Sequence, residues 1–97
     1  MTSVVVEHDP SPLKLEVLGV EAWPQWEKDV STVEWQYEHT ETCYLEAGEA
    51  VLRCVDGETV PVREGDLVTI FAGVRCVWDI RARLRKRYKI GEGLPFG

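Results

Sequence analysis

The most informative part of the sequence is residues 41–73, ETCYLEAGEAVLRCVDGETVPVREGDLVTIFAG. Short apolar runs at residues 44–45, 51–52, 60–62 and 67–68 are each followed by a turn signal that contains glycine. Four short strands separated by glycine-containing turns predict an antiparallel all-β sandwich or barrel. The Asp56-Gly57 pair predicts a type I′ hairpin, because both central residues of that turn need φ > 0.

Alternating residues predict further strands before this segment. Residues 13–18 and 30–38 alternate apolar and polar side chains, and the second of these strands should turn Trp35 and Tyr37 inward. Between them, a proline predicts a short helical turn near Trp23–Trp26, with both indole rings closing one end of the barrel.

Two more strands are predicted after the central hairpins, at residues 74–80 and 84–90. The first should place Cys76 and Trp78 on its inner face, and the second should place Lys86 there. A lysine on an apolar face needs water, a carboxylate or a ligand at its ammonium group.

The chain is expected to form one domain at residues 13–97, preceded by a flexible arm at residues 1–12. Val4–Val6 could instead add an edge strand. The net charge of −6 argues against nucleic-acid partners. Three cysteines without Cys-x-x-Cys spacing predict free thiols and a cytoplasmic location. No run approaches the roughly 20 apolar residues of a membrane span, so we expect no membrane partner. The N-terminal residues show no basic segment followed by an apolar run, so we expect no signal peptide.

Two motif spacings resemble those of the cupin family. Glu41 to Gly48 reproduces the Glu-x6-Gly part of the first cupin motif. Gly65 to Cys76 reproduces the second motif, with Phe71 at the proline position and Cys76 at the histidine position. The resemblance implies a jelly-roll β-barrel of two antiparallel sheets.

More specific likeness comes from four short runs, Trp23-Pro24-x-Trp26-Glu27-Lys28, Glu41-Thr42-Cys43-Tyr44, Gly65-Asp66-Leu67-Val68-Thr69 and Arg75-Cys76-x-Trp78. Together they resemble the small single-domain cupins of the (S)-ureidoglycine aminohydrolase type, in the RmlC-like superfamily. These are related to the ethanolamine-utilisation cupins. The resemblance spans roughly residues 15–90.

The family resemblance implies a metal site made by three histidines and one glutamate around a divalent cation. Here the first two histidine positions fall on or beside residues 34–37, the third falls on Cys76, and only Glu41 matches. His8 and His39 match no ligand position. We therefore predict no cofactor, and if a metal were held at all, Glu41 and Cys76 would be its ligands.

Strand parity and the resemblance predict one ligand pocket. Its expected lining is Trp35, Tyr37, Glu41, Cys43, Cys76, Trp78, Lys86 and Tyr88. Glu41 and Lys86 could pair with each other or hold opposite charges of a ligand. Cys76 is a candidate nucleophile if Lys86 favours its thiolate, and the alternative is that both pocket cysteines are apolar filler.

Three functional hypotheses follow. The first is a binder of a small polar or sugar-like metabolite without a standard metal site. The second is an aminohydrolase- or isomerase-like enzyme with Glu41 and Lys86 as acid and base, Cys76 as a tentative third group, and Tyr37 or Tyr88 assisting. The third is a non-catalytic structural or regulatory module. We expect a homodimer, because a barrel this small leaves apolar strand faces exposed, and residues 1–18 could cross to the partner.

Overall fold

The computed structural model describes residues 2–91 and confirms the predicted all-β class. The strands are β1 (Val4–His8), β2 (Gln25–Lys28), β3 (Ser31–Gln36), β4 (Glu41–Cys54), β5 (Thr59–Arg63), β6 (Asp66–Ile70) and β7 (Arg75–Ile90). Helix α1 covers Pro12–Leu18, and a 3-10 turn covers Val20–Ala22. The strand order is β1-β6-β4-β7-β2, with β3 also paired to β7 and β5 also paired to β4.

The long strands β4 and β7 connect the two halves of the barrel. The first part of β4 pairs with β6 and its last part with β5, while β7 pairs first with β3 and later with β2. Register shifts between Leu45 and Ala50 bend β4 at the boundary. The two sheets expected for the jelly roll are therefore continuous, and the structure forms one seven-stranded antiparallel sheet.

Gly48 lies at this bend, with a φ of 95°. A Cβ atom there would lie 2.2 Å from the carbonyl oxygen of Arg83 in β7, so only glycine fits. The sequence pattern predicts a turn at residues 47–49 and separate strands on either side. That prediction is wrong, because the glycine marks a bulge within one strand. The two strands predicted at residues 74–80 and 84–90 likewise form the single strand β7, which begins at Arg75.

The main core lies between the two halves and follows the strand alternation. Its buried members are Val4, Tyr37, Cys43, Leu45, Ala50, Leu52, Cys54, Val62, Val68, Ile70, Cys76, Trp78, Ile80 and Leu84. A smaller cluster forms outside it from Val20, Trp23 and Leu67. Trp23 is therefore not the predicted plug at one end of the barrel.

Residues 12–18 form a helix and not the predicted strand. The Ser11 hydroxyl accepts a hydrogen bond from the backbone N–H of Lys14 at 3.2 Å, and Gly19 ends the helix with a φ of 71°. Leu15 and Leu18, three residues apart, pack on the cluster that contains Trp23. The same segment also alternates apolar and polar residues, so its sequence fits both a helix and a strand.

Three further expectations are corrected. All five residues of β1 pair with β6 of the same chain, so the predicted flexible arm is a strand over that segment. The helical turn predicted near Trp23–Trp26 ends earlier, at Ala22, and β2 begins at Gln25. Gly57 has a φ of 98° whereas Asp56 has a negative φ, so the hairpin is not type I′.

Met1 of the predicted arm and residues 92–97 of the predicted domain lie outside the described residues. Among residues 2–91, no helix has the length and apolar character needed to cross a membrane.

Candidate functional site

A cavity of about 290 Å³ opens at one end of the barrel, and we call it the mouth cavity. The loop between β3 and β4 borders it on one side, and the last residues of β7 border it on the other. Its lining residues are Trp26, Trp35, Gln36, Tyr37, Glu38, His39, Glu41, Lys86, Tyr88 and Ile90.

Strand alternation explains how β7 contributes to this cavity. Lys86, Tyr88 and Ile90 are spaced by two, so their side chains share one face of the strand. Trp26 is the cross-strand partner of Lys86 in the β2–β7 ladder. Glu41 is the first residue of β4, where the loop from β3 enters the barrel.

Lys86 and Glu41 form a buried ion pair at the floor of the mouth cavity. Lys86 Nζ donates to Glu41 Oε2 at 3.0 Å, and each side chain is only 6% exposed. Burying a charge is costly unless it is paired and hydrogen-bonded, and this contact supplies both conditions. The pair uses one of the three N–H groups of the ammonium and one of the two carboxylate oxygens.

Three indole rings surround the same ammonium group. Lys86 Nζ lies 4.6 Å from the ring centre of Trp78, 5.2 Å from that of Trp26 and 5.8 Å from that of Trp35. Trp26 and Trp35 also meet edge to face, with centroids 6.0 Å apart. The ring faces attract the cation through their quadrupoles, so the cage fixes the ammonium in addition to the carboxylate.

Tyr37 joins the cavity wall to the core. Its hydroxyl oxygen accepts a hydrogen bond from the indole N–H of Trp78 at 2.9 Å, and the residue is 3% exposed. Burial, followed by the negative charge of Glu41, raises the pKa of Tyr37 far above its ordinary value. The phenol is therefore neutral and can act only as a hydrogen-bonding group.

Three predicted lining residues lie beneath the cavity. Cys43 and Cys76 are fully buried and Trp78 is 2% exposed, although Trp78 still contacts the Lys86 ammonium. Burial raises the pKa of Cys43 to about 12 and that of Cys76 to about 12, despite the opposing charge of Lys86. Both thiols are protonated at neutral pH, which favours the filler alternative over a nucleophilic Cys76.

Five residues that line the mouth cavity were not predicted from the sequence. Trp26 lies within β2 and Ile90 is the last residue of β7. The other three, Gln36, Glu38 and His39, come from the end of β3 and the loop before β4. Trp26 could have been found, because it alternates with Gln25 and Glu27 in the strand that follows Pro24. The loop residues have no periodicity and could not be assigned by parity.

The donor set does not fit a divalent cation of the usual cupin kind. Within residues 2–91, no group of three or more His, Cys, Asp or Glu side chains converges. Glu41 is already paired with the Lys86 ammonium, which would repel a cation held by the same carboxylate. Cys76 would also have to lose a proton that burial holds tightly.

An antiparallel barrel with two long shared strands and a mouth lined by side chains defines a cupin-type protein. The model of the EutQ-like cupin domain matches residues 15–88, and the chain belongs to this family. The structure is similar to that of a DUF861-family protein from Thermotoga maritima, with 42% identity and a TM-score of 0.87 over 90% of this chain and 98% of that chain. This family assignment confirms the predicted cupin jelly roll, and the narrower ureidoglycine aminohydrolase-type resemblance stays a prediction.

Two ethanolamine-utilisation proteins share the fold at lower identity. One is a putative protein Q from Salmonella typhimurium, with 18% identity and a TM-score of 0.64 over 93% of this chain and 58% of that chain. The other is the Clostridium difficile EutQ protein, with 21% identity and a TM-score of 0.64 over 91% of this chain and 67% of that chain. A comparison with curated proteins found no significant match.

Proposed function

We propose that this cupin binds a small polar metabolite in its mouth cavity and uses the Lys86–Glu41 pair, in place of a metal, to recognise it. The observation that carries this proposal is the buried ion pair at the floor of an aromatic cavity. Small-molecule sites combine apolar walls with a few placed polar groups, and this arrangement has both.

The ion pair suits a neutral or zwitterionic ligand that carries both hydrogen-bond donors and acceptors. The Lys86 ammonium can donate to a hydroxyl, amide or carboxylate oxygen, and the Glu41 carboxylate can accept from a hydroxyl or amide N–H. A single net charge on the ligand would leave one member of the pair facing a like charge. Sugars, amino acids and ureides carry groups of this kind and no net charge at neutral pH.

Aromatic walls and cavity size narrow the ligand further. Trp26, Trp35 and Tyr88 offer ring faces on which a flat amide group or the C–H face of a sugar can stack. The volume of about 290 Å³ is at the lower end for ligand pockets, which matches a metabolite smaller than a nucleotide.

A thermal-shift screen tests this proposal with a panel of monosaccharides, hydroxy acids, amino acids and ureides. We expect one chemical class to raise the melting temperature of the wild-type protein and to lose its effect in Trp35→Ala. Trp35 is 37% exposed, so this substitution should leave the fold intact. Val55→Ala is the control, because Val55 is exposed and lies outside the mouth cavity. A panel member that stabilises Trp35→Ala as well as it stabilises the wild type would contradict binding in the mouth.

The same ion pair supports a second candidate, an aminohydrolase- or isomerase-like reaction. A carboxylate and an ammonium group 3.0 Å apart beside a cavity can accept and donate a proton on the same substrate. Glu41→Gln keeps the size and one hydrogen bond of Glu41 but removes the base. Turnover that is lost in Glu41→Gln, with ligand affinity retained, would identify an enzyme, whereas binding without turnover in the wild type would identify a binding protein.

We also propose that the chain forms a homodimer. Leu13 and Val17 are four residues apart on α1 and are 68% and 70% exposed, and Val5 of β1 is 47% exposed. Apolar side chains at this exposure favour association. Light scattering coupled to size exclusion tests this proposal, and a monomer at micromolar concentration would contradict it.

A further inference from the structure

Cys54 and Cys76 face each other directly across the central pair of strands. They are register partners in the β4–β7 ladder. The backbone N–H of Val55 donates to the carbonyl oxygen of Arg75 at 3.0 Å, so the next pair along is the hydrogen-bonded one. Cys54 and Cys76 therefore form a non-hydrogen-bonded pair, in which Cα atoms are about 4.5 Å apart.

This separation is compatible with a disulfide. Bridged cysteines usually have Cα atoms about 4.4–6.8 Å apart. Both side chains lie on the inner face of the barrel, where the alternation of β4 and β7 directs them into the main core. Both thiols are free, and they are close enough for each to influence the ionisation of the other.

Solvent reaches only one of these two cysteine residues. A second cavity, the side cavity, has a volume of about 510 Å³ and is lined by Cys54 together with Asp56, Arg75 and the turn at residues 72–74. Cys54 is 8% exposed and Cys76 is fully buried behind it. An oxidant small enough to enter the side cavity would therefore meet Cys54 first.

We propose that Cys54 and Cys76 form a reversible intramolecular disulfide, with Cys54 as the thiol that reacts first and Cys76 as the resolving thiol. This modification site is independent of the mouth cavity and of the proposed metabolite binding. Cys43 takes no part, because β4 pairs it with Tyr88 and not with a cysteine.

The oxidant in this step is a peroxide, and the reaction balances with hydrogen peroxide. The Cys54 thiol first loses its proton, and the thiolate then attacks one peroxide oxygen. The O–O bond breaks, a sulfenic acid remains on Cys54, and the departing hydroxide takes up a proton to leave as one water. The Cys76 sulfur then attacks the sulfenic sulfur, the S–S bond forms, and the thiol proton leaves with the hydroxide as a second water. Two thiols are oxidised by two electrons and one peroxide is reduced to two waters.

The surroundings of the pair make this reaction slow at neutral pH. Burial, followed by the carboxylates of Asp56 and Glu58, raises the pKa of Cys54, and the contact with Cys76 offsets part of the rise. Because the thiolate is the reactive form, we expect oxidation over minutes to hours.

Peptide mapping of the folded wild-type protein after treatment with hydrogen peroxide tests the proposal. Trypsin separates the three cysteines, with Cys43 in residues 29–53, Cys54 in residues 54–63 and Cys76 in residues 76–81. We expect an intact mass lower by about 2 Da, a linked peptide pair that contains Cys54 and Cys76, and alkylation of Cys43 alone after denaturation. Dithiothreitol should restore all three thiols.

Single cysteine variants provide the controls. Cys43→Ala should still form the linked pair, while Cys54→Ser should keep both remaining thiols and Cys76→Ser should stop at an oxidised Cys54. A disulfide that includes Cys43, a link only between two chains, or three intact thiols after prolonged treatment would overturn the proposal. The wild-type map decides the question even if a serine variant fails to fold.

Discussion

Lys86 and Glu41 are 45 positions apart in the chain, yet their side chains meet at 3.0 Å and are each 6% exposed. Each charge is buried in the presence of the other, and the ammonium group also has three indole rings around it. Glu41 has less support of this kind, so the two members of the pair should differ in their tolerance of substitution.

Removing Lys86 should therefore cost more than neutralising Glu41. Lys86→Met leaves a buried carboxylate without its partner, which should lower the free energy of unfolding by about 3–5 kcal/mol. Glu41→Gln keeps a hydrogen-bond acceptor and leaves the ammonium in its cage, so we expect a smaller loss. Urea unfolding measures both.

The double variant Lys86→Met/Glu41→Gln provides the control for this pair of substitutions. It should recover part of the stability lost in Lys86→Met, because no buried charge then remains unpaired. If the two single variants lose equal stability and the double variant loses the sum of the two, the pair is not coupled as the structure indicates.

Tyr37→Phe should destabilise the barrel without creating a cavity. The substitution removes the acceptor for the buried Trp78 indole N–H, and an unsatisfied donor costs about 1–3 kcal/mol. The matched control is Tyr88→Phe, which removes a hydroxyl from a half-buried ring at the mouth and should change stability by less than about 0.5 kcal/mol. Chemical denaturation of both variants tests this difference, and equal losses would contradict it.

Gly48→Ala should be far more damaging than Gly57→Ala. Both residues have positive φ, but a Cβ atom at Gly48 would meet the Arg83 carbonyl oxygen at 2.2 Å, whereas a Cβ atom at Gly57 would meet nothing within 4 Å. Gly57→Ala carries only backbone strain of about 1 kcal/mol. Gly48→Ala adds a clash with backbone that must move, so we expect a loss of about 3 kcal/mol or more. Melting temperatures compare the two, and similar values would contradict the account of the bend.

The buried thiols should make the protein lose stability in alkaline solution. Burial raises the pKa of Cys43 to about 12, so below about pH 8.5 the thiol is protonated in both the folded and the unfolded states. As the pH rises towards 12, only the unfolded state loses the proton, and stability falls by up to about 1.4 kcal/mol per pH unit for each such thiol.

Urea unfolding between pH 8 and pH 10, with a reductant present, tests this expectation. Cys43→Ala should show a shallower decline than the wild type, because one titrating thiol is absent. A decline of unchanged slope in Cys43→Ala would show that this thiol ionises equally in both states.

The fold could be predicted from the sequence wherever one periodicity stood alone. The alternation of residues 30–38 correctly predicted that Tyr37 is buried. The same alternation also placed Trp35 inward, but Trp35 is 37% exposed at the mouth, and β3 ends at Gln36. Residues 13–18 carry both a strand and a helix pattern, and the Ser11 and Gly19 caps favour the helix. Gly48 could not be assigned from sequence, because the same residue type closes a turn or permits a bulge, and only the approach of Arg83 distinguishes them.

The candidate site was predictable for residues within strands and less so elsewhere. Strand parity predicted that Lys86 and Tyr88 line the pocket. A carboxylate was one of the partners predicted for the Lys86 ammonium group. Trp78 was assigned to the lining, although depth along a strand cannot be read from alternation, and the structure places it in the floor. His39 lies in a loop whose path depends on contacts distant in sequence.

The most direct test of metabolite binding in the mouth cavity is to follow the four indole N–H signals of the folded protein by nuclear magnetic resonance during a titration with a compound from the thermal-shift screen. Trp26 and Trp35 line the cavity, whereas Trp23 is buried in the separate cluster with Val20 and Leu67. We predict that the signals of Trp26 and Trp35 shift with ligand concentration while that of Trp23 stays in place. A titration that shifts Trp23 and leaves Trp26 and Trp35 unchanged would contradict binding in the mouth.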